Sequence, residues 1–185
     1  MSLLPIYTYG APILRKKAKA VNAASDEILR LALNMFETVH KAQGIGLAAT
    51  QVGSLHRVLV VDMAGMEGYE DLRPLTVINP EIVSQEGRWT MEEGCLSIPD
   101  LRDEVERAET IVLRYRDANF DEYELTASGI LGRVLLHEID HLDGMLFIEH
   151  LSEETKKLHD EQLRRIEKGE IEVGYPIVTA QNQMV

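Results

Sequence analysis

Cys95 is the single cysteine in 185 residues, so no internal disulfide can form. Stability must come from a core, and at this length one core buries roughly 70% of the unfolded surface. A lone cysteine in a reducing compartment is usually a small buried hydrophobe; nucleophiles and metal ligands are the exceptions. Positive charge is also scarce, with 19 Lys and Arg against 31 Asp and Glu, a net charge of −12. Nonspecific binding to nucleic acid or to an anionic membrane needs clustered cations, so neither partner is expected. The short pairs Lys16-Lys17, Lys156-Lys157 and Arg164-Arg165 read as solvated faces. No apolar run approaches the ~18 residues of a membrane span. Residues 1–10 lack the charged and apolar regions of a signal peptide, so a cytoplasmic location is the default expectation. Internal repeats, low-complexity tracts and dividing linkers are missing too.

What is present is ordinary for a soluble globular chain: 45% hydrophobic and 27% charged residues. Residues 25–43 read as a helix. Ile28, Leu31, Met35, Phe36 and Val39 recur at helical spacing, Asp26 and Glu27 suit its first turn, and Gly44 is a stop. Short β-branched runs at 57–63, 75–79, 81–85 and 110–116 read as strands, punctuated by Asn79-Pro80 and Glu86-Gly87. With no helix between them, antiparallel pairing is favoured. A second helix is expected over 128–142, capped by Ser128 and ended by Asp143-Gly144. It is apolar nearly all round, which marks it as buried. A third, charged helix over 152–168 should be peripheral. The fold class is therefore α+β: antiparallel sheets packed around a buried helix, with an N-terminal helix and a peripheral C-terminal one.

The buried helix carries His137-Glu138-Ile139-Asp140-His141. Residues four apart on a helix share a face, with Cβ atoms roughly 5–6 Å apart, so both imidazoles can reach one metal ion. Glu138 beside them can act on water. The bland alternative, two buried histidines without partners, is costly. A hydrolytic metal normally has three protein ligands. Glu149, His150, Glu153 and Glu154 lie just past the helix end, where reaching back is awkward. The other source is the segment 92–99, with Cys95 preceded by Gly94 and followed by Pro99. On its own Cys95 could equally be a ligand or a buried thiol. Residues 44–53 hold a glycine pair that permits close backbone contact or simply a tight turn. They lack the lysine of a phosphate loop, which argues against nucleotide binding.

Taken together, Gly44–Gln51 as G-x-G-x-A-A-x-Q, Glu93–Ser97 as E-G-C-L-S and His137–His141 as H-E-x-x-H resemble the three motifs of the peptide deformylases, in the same order. The resemblance extends over residues 3–168, which makes 1–168 one catalytic domain and 169–185 a C-terminal tail. It implies an enzyme that removes the N-formyl group from the initiator methionine of nascent polypeptides and releases formate. It further implies that Cys95, His137 and His141 bind the metal, typically Fe(II), with Zn, Ni or Co able to substitute. Glu138 would be general base and then acid, and the Gln51 side chain and Leu96 backbone N–H would stabilise the oxyanion. Backbone at Ile45 and Gly46 would hold the peptide, with Ile45, Ile130, Val134 and the stem of Arg133 around the methionine side chain. Ile130 and Val134 also read as core packing, and Arg102 as a peptide contact or a solvated cation.

Some members of that family dock on the ribosome through a basic C-terminal extension. Here residues 156–175 mix both signs, so this tail is a poor docking element for a transient ribosome contact. A monomer is expected, since no long heptad or second apolar stripe is evident. Three other readings stay open at this level. An H-E-x-x-H metallopeptidase would need a third ligand after His141. A cysteine hydrolase would use Cys95 as nucleophile. A non-catalytic, metal-stapled peptide-binding module would need a fourth ligand, and His40, His56, His150 and His159 stand isolated.

Overall fold

Ser25 opens the first helix in the computed structural model, which describes residues 2–183. Its hydroxyl accepts from the Ile28 N–H at 3.3 Å, and helix α1 (Asp26–Lys41) follows. Asp26 and Glu27 sit in the first turn and His40 and Lys41 in the last, as the helix dipole favours. Ile28, Ala32, Met35 and Val39 form its buried stripe. Gln43 then takes a left-handed φ of 56°, and the Gly44 N–H bonds back to the Val39 carbonyl, ending the helix two residues before the expected limit.

The strands follow in chain order. They are β1 (Ile6–Tyr7), β2 (Gly46–Ala48), β3 (Val58–Val61), β4 (Leu75–Glu86), β5 (Trp89–Cys95), β6 (Ile98–Arg107), β7 (Thr110–Arg116), β8 (Glu122–Ser128) and β9 (Ile177–Val178). Five make an antiparallel sheet in the order β2-β3-β4-β7-β8. β5 and β6 form a separate hairpin, and β1 pairs in parallel with β9. The expected break at Asn79-Pro80 is instead a bulge within one long β4, where the register slips between Ile78 and Glu81. Pro80 cannot donate to a ladder. Asn79 adopts a φ of 53° and turns its amide onto Val21, with bonds of 2.8 and 2.7 Å to the N–H and carbonyl. The hairpin and β8 were not expected from sequence, although β8 carried a signal: Tyr123, Leu125 and Ala127 alternate with Glu122, Glu124 and Thr126.

Helix α2 (Gly129–Leu142) is buried along almost its whole length. Leu131, Leu135, Ile139 and Leu142 pack on Leu59, Val61, Val77 and Leu113 of the five-stranded sheet. A further cluster joins β6 to the C-terminal elements through Ile98, Val105, Phe147, Leu163 and Ile166. Ser128 holds the N-cap position, but its side chain makes no capping bond.

The expected single helix over 152–168 is two: α3 (Glu153–Leu158) and α4 (Asp160–Glu167). They break at His159, whose Nε2 lies 2.6 Å from Asp103. The break seats Leu163 and Ile166 in the core while Leu158 stays 81% exposed. After α4, Gly169 turns the chain back with a φ of 76°, and β9 then reaches β1.

Candidate metal centre

α2 presents His137 and His141 one turn apart, their ring centroids 4.9 Å from each other. Cys95, the last residue of β5, brings its sulfur to 3.1 Å from His141 Nε2. The sulfur and one nitrogen of each imidazole all lie within 4.8 Å of one another. Among the described residues this is the one group of three or more metal-capable donors. Glu149 is instead bonded to Arg15 and to the Leu146 N–H, and His150 to Asp140. The downstream third ligand that a metallopeptidase would need is therefore not formed by either.

His137 is oriented from behind. Its Nδ1 meets Glu93 Oε2 at 2.9 Å, which leaves Nε2 as its free donor. Glu93 is itself held by two guanidiniums. Arg107 Nε donates to Oε1 at 2.6 Å and Nη2 to Oε2 at 3.1 Å, and Arg133 Nη1 donates to Oε1 at 2.9 Å. Arg107 also donates to Asp140 at 2.7 Å, and Asp140 meets His150 at 2.7 Å. Such outer partners fix the tautomer and orientation of a ligating imidazole. The sequence reading missed Glu93 and Arg107. One signal was available: on a strand, residues two apart share a face, so Cys95 on β5 carries Glu93 with it.

Electrostatics match a cation site. Burial pushes the Cys95 thiol up, but the adjacent His141 and His137 outweigh it and hold it well below the ordinary thiol range. Burial pushes His137 down, while Cys95 and Glu93 lift it well above its ordinary value. The donor set is one cysteine sulfur and two imidazoles, and a cation among them would favour the thiolate form of Cys95. A divalent metal fits these residues by charge and by donor chemistry.

Around this centre lies a cleft of about 810 Å³. Of the residues named from sequence, Ile45, Gly46, Gln51, Cys95, Leu96, Ile130, Val134, His137 and Glu138 line it, and His141 lies beneath at 1% exposure. Gln51 follows β2 in a tight helical turn. Its Oε1 accepts from the Ala48 N–H at 2.8 Å, which directs Nε2 toward Ser97 Oγ at 3.2 Å and Cys95 Sγ at 3.6 Å. Glu138 is 4% exposed, and its Oε2 has no hydrogen-bond partner. Burial pushes this carboxyl up, with His137 and His141 opposing. Gly46 is required here: a Cβ would stand 2.7 Å from Glu138 Oε1 and 2.8 Å from Val134 Cγ1.

Ile130 and Val134 both line the cleft and pack on the core. Arg133 faces the cleft with its stem while its guanidinium is spent on Glu93, the Val105 carbonyl and the Trp89 ring. Arg102 lines the same cleft, 68% exposed, near Glu92. Residues Glu172, Val173, Gly174 and Tyr175, beyond the reach of the motifs, also line it.

Residues 3–157 match the family model described as polypeptide deformylase. The chain belongs to the polypeptide deformylase family. It is 48% identical to a peptide deformylase of Salinibacter ruber, over 99% of this chain and 98% of that one. The crystal structure of a peptide deformylase from Legionella pneumophila superposes with a TM-score of 0.83 at 35% identity, covering 91% of this chain and 98% of that one. The enzyme from Ehrlichia chaffeensis, solved in complex with actinonin, gives 0.83 at 38% identity, over 93% of this chain and 100% of that one. The family's reaction is metal-dependent hydrolysis of the N-formyl group on nascent chains, and this chain is a hydrolase of that kind. Its α+β architecture with antiparallel sheets is the family's own. No helix among the described residues is long and apolar enough to cross a membrane.

Proposed function

We propose that Cys95, His137 and His141 hold the metal, that Glu138 moves the proton, and that Gln51 and Leu96 stabilise the oxyanion, on an N-formyl-methionyl nascent peptide. The observation that carries this is the convergence of the Cys95 sulfur and the two imidazoles beside the Gln51 amide and the unpartnered Glu138 carboxylate. We take the native metal to be Fe(II), with Zn, Ni or Co able to substitute. When bound, the metal supplies a Lewis acid that makes water nucleophilic near neutral pH.

Glu138 takes a proton from the attacking water. The oxygen adds to the formyl carbon, and the carbonyl oxygen becomes an oxyanion that accepts from Gln51 Nε2 and the Leu96 N–H. Glu138 then gives its proton to the amine nitrogen, the C–N bond breaks, and formate and a free N-terminus leave. A carboxyl raised by burial suits both roles, since it accepts and returns a proton nearer neutrality. β2 is an edge strand of its sheet, so Ile45 and Gly46 can hold an extended peptide by strand addition. Ile45, Ile130 and Val134, with the Arg133 stem, make an apolar pocket for the methionine side chain.

We further read the protein as a cytoplasmic monomer of one catalytic domain, meeting the ribosome transiently and not through its mixed-charge C-terminal tail. The test is formate release from a formyl-Met peptide by the Fe(II)- or Ni(II)-loaded chain. No formate would end the reading. Cys95→Ala should lose most of the bound metal; retained metal would return Cys95 to the role of a buried thiol. Chelator inhibition that divalent metal reverses would remove the cysteine-nucleophile alternative.

A further inference from the structure

The turn that carries Leu96 is two residues long. Cys95 pairs with Ile98 across the β5–β6 hairpin, which leaves Leu96 and Ser97 outside the ladder. Their backbone groups must be satisfied from elsewhere. The Ser97 N–H turns back to Cys95 Sγ at 3.4 Å, two distant segments supply donors to the two carbonyls, and a third holds the Ser97 side chain. The Tyr9 N–H donates to the Ser97 carbonyl at 2.8 Å. Gln51 Nε2 donates to the Ser97 hydroxyl at 3.2 Å. The Tyr175 phenol donates to the Leu96 carbonyl at 2.8 Å, from 79 residues further along the chain.

Tyr175 can do this because the segment bearing it is anchored. The Ile6 N–H donates to the Pro176 carbonyl at 2.9 Å, and the Thr8 N–H to the Val178 carbonyl at 3.0 Å. Tyr175 packs against the apolar cluster that also holds Leu96, and it lines the cleft. On the other side, the Leu96 side chain lies against Gly44, where a Cβ would stand 2.9 Å from Leu96 Cδ1. Leu96 is thus gripped by its side chain from one direction and by its carbonyl from another. Burial pushes the Tyr175 phenol well above its ordinary value, so it remains a donor.

We propose that Tyr175 is a positioning residue for the hydrolysis: its phenol holds the Leu96 carbonyl and thereby aims the Leu96 N–H at the oxyanion. The segment after α4 is then a working part of the centre. This rests on the reading of Leu96 as an oxyanion donor. An N–H and a carbonyl on the same residue are linked through two torsions, so pinning the carbonyl restricts the swing of the N–H. Donors of this kind act only when preorganised at hydrogen-bond distance from the developing charge.

Tyr175→Phe keeps the ring and removes the one bond. In the metal-loaded full chain, kcat on a formyl-Met peptide should fall on the order of threefold to tenfold, the net worth of one neutral hydrogen bond. KM and metal content should be unchanged, and amide hydrogen exchange across residues 95–98 should quicken. Wild-type kcat in Tyr175→Phe would overturn the inference, as would a kcat loss that merely tracks lost metal. So would a lowered melting temperature with kcat and turn exchange untouched, the signature of a purely structural tyrosine. An active wild type with an unaffected variant sinks this inference alone; an inactive wild type sinks the deformylase reading and this inference with it.

Discussion

Glu93 on β5 and Glu138 on α2 are about equally buried, at 6% and 4% exposure, yet their surroundings push the two carboxyls in opposite directions. For Glu93, burial raises the carboxyl, but the His137 bond and the Arg107 guanidinium outweigh it, and the group is held far below the ordinary range. For Glu138, burial wins over the two imidazoles, and Oε2 has no partner at all. One carboxylate is saturated with donors and fixed. The other is left under-satisfied where a substrate would lie. On the proposed reading, this difference lets one centre hold His137 rigidly and still keep Glu138 free to exchange a proton.

The largest expected effect breaks the reactive side. Glu138→Gln should lower kcat by about 10²–10⁴. Metal content should hold, and thermal stability should hold or rise, because the change removes a buried carboxylate with an unpaired oxygen. A clear loss of stability in this variant would put Glu138 in the structural class with Glu93. Next comes Gln51, the proposed oxyanion donor: Gln51→Ala should cost about 10²–10³ in kcat, read by formate release at matched metal content.

On the holding side the expected losses are of another kind. Glu93→Gln leaves Arg107 and Arg133 buried without their shared counter-charge. Breaking such a buried pair costs about 3–5 kcal/mol, measurable by denaturant unfolding. With His137 as a ligand, as proposed, losing its partner should weaken metal binding about 10–100-fold, measurable by competition with a chelator.

The pH dependence sharpens the same contrast. Because Glu93 is depressed in the folded state, the unfolded chain binds more protons at acid pH. Its stabilisation is therefore present above the unfolded carboxylate value of about 4.3 and is lost as pH falls below it. Glu93→Gln should flatten the acid limb of a stability–pH curve, and an unchanged limb would show that Glu93 does not carry it. The smallest effect is expected at the exposed pair Arg88–Glu106, 3.2 Å apart but 81% and 56% exposed. Arg88→Ala should leave melting temperature and activity essentially as they are.

Legibility in the sequence followed locality. α1 begins at the expected Ser25 cap, β7 spans 110–116 as read, and α2 lies within the expected 128–142. Each is set by short-range signals: a cap, β-branched alternation, an apolar run closed by Asp143-Gly144. β5 and β6 were hidden because their exposed positions are crowded with Glu, Asp and Arg and give no clean apolar period. The break at His159 was hidden because it answers to the seating of Leu163 and Ile166 on β6 and to Asp103, not to any helix breaker. Nothing in residues 169–183 announced that they would return to β1.

For the centre itself, the spacing of His137 and His141 and the setting of Cys95 were readable, because helix geometry dictates the first and the three ordered motifs supply the second. Folding then decided what local pattern cannot express. It brought Cys95 Sγ to 3.1 Å from His141 Nε2 across 46 residues, placed Glu93 behind His137 across 44, and carried Tyr175 onto Leu96 across 79. Such contacts are selected by burial of the whole core and by the need to satisfy every polar group within it, and those are properties of the packed chain, not of any segment.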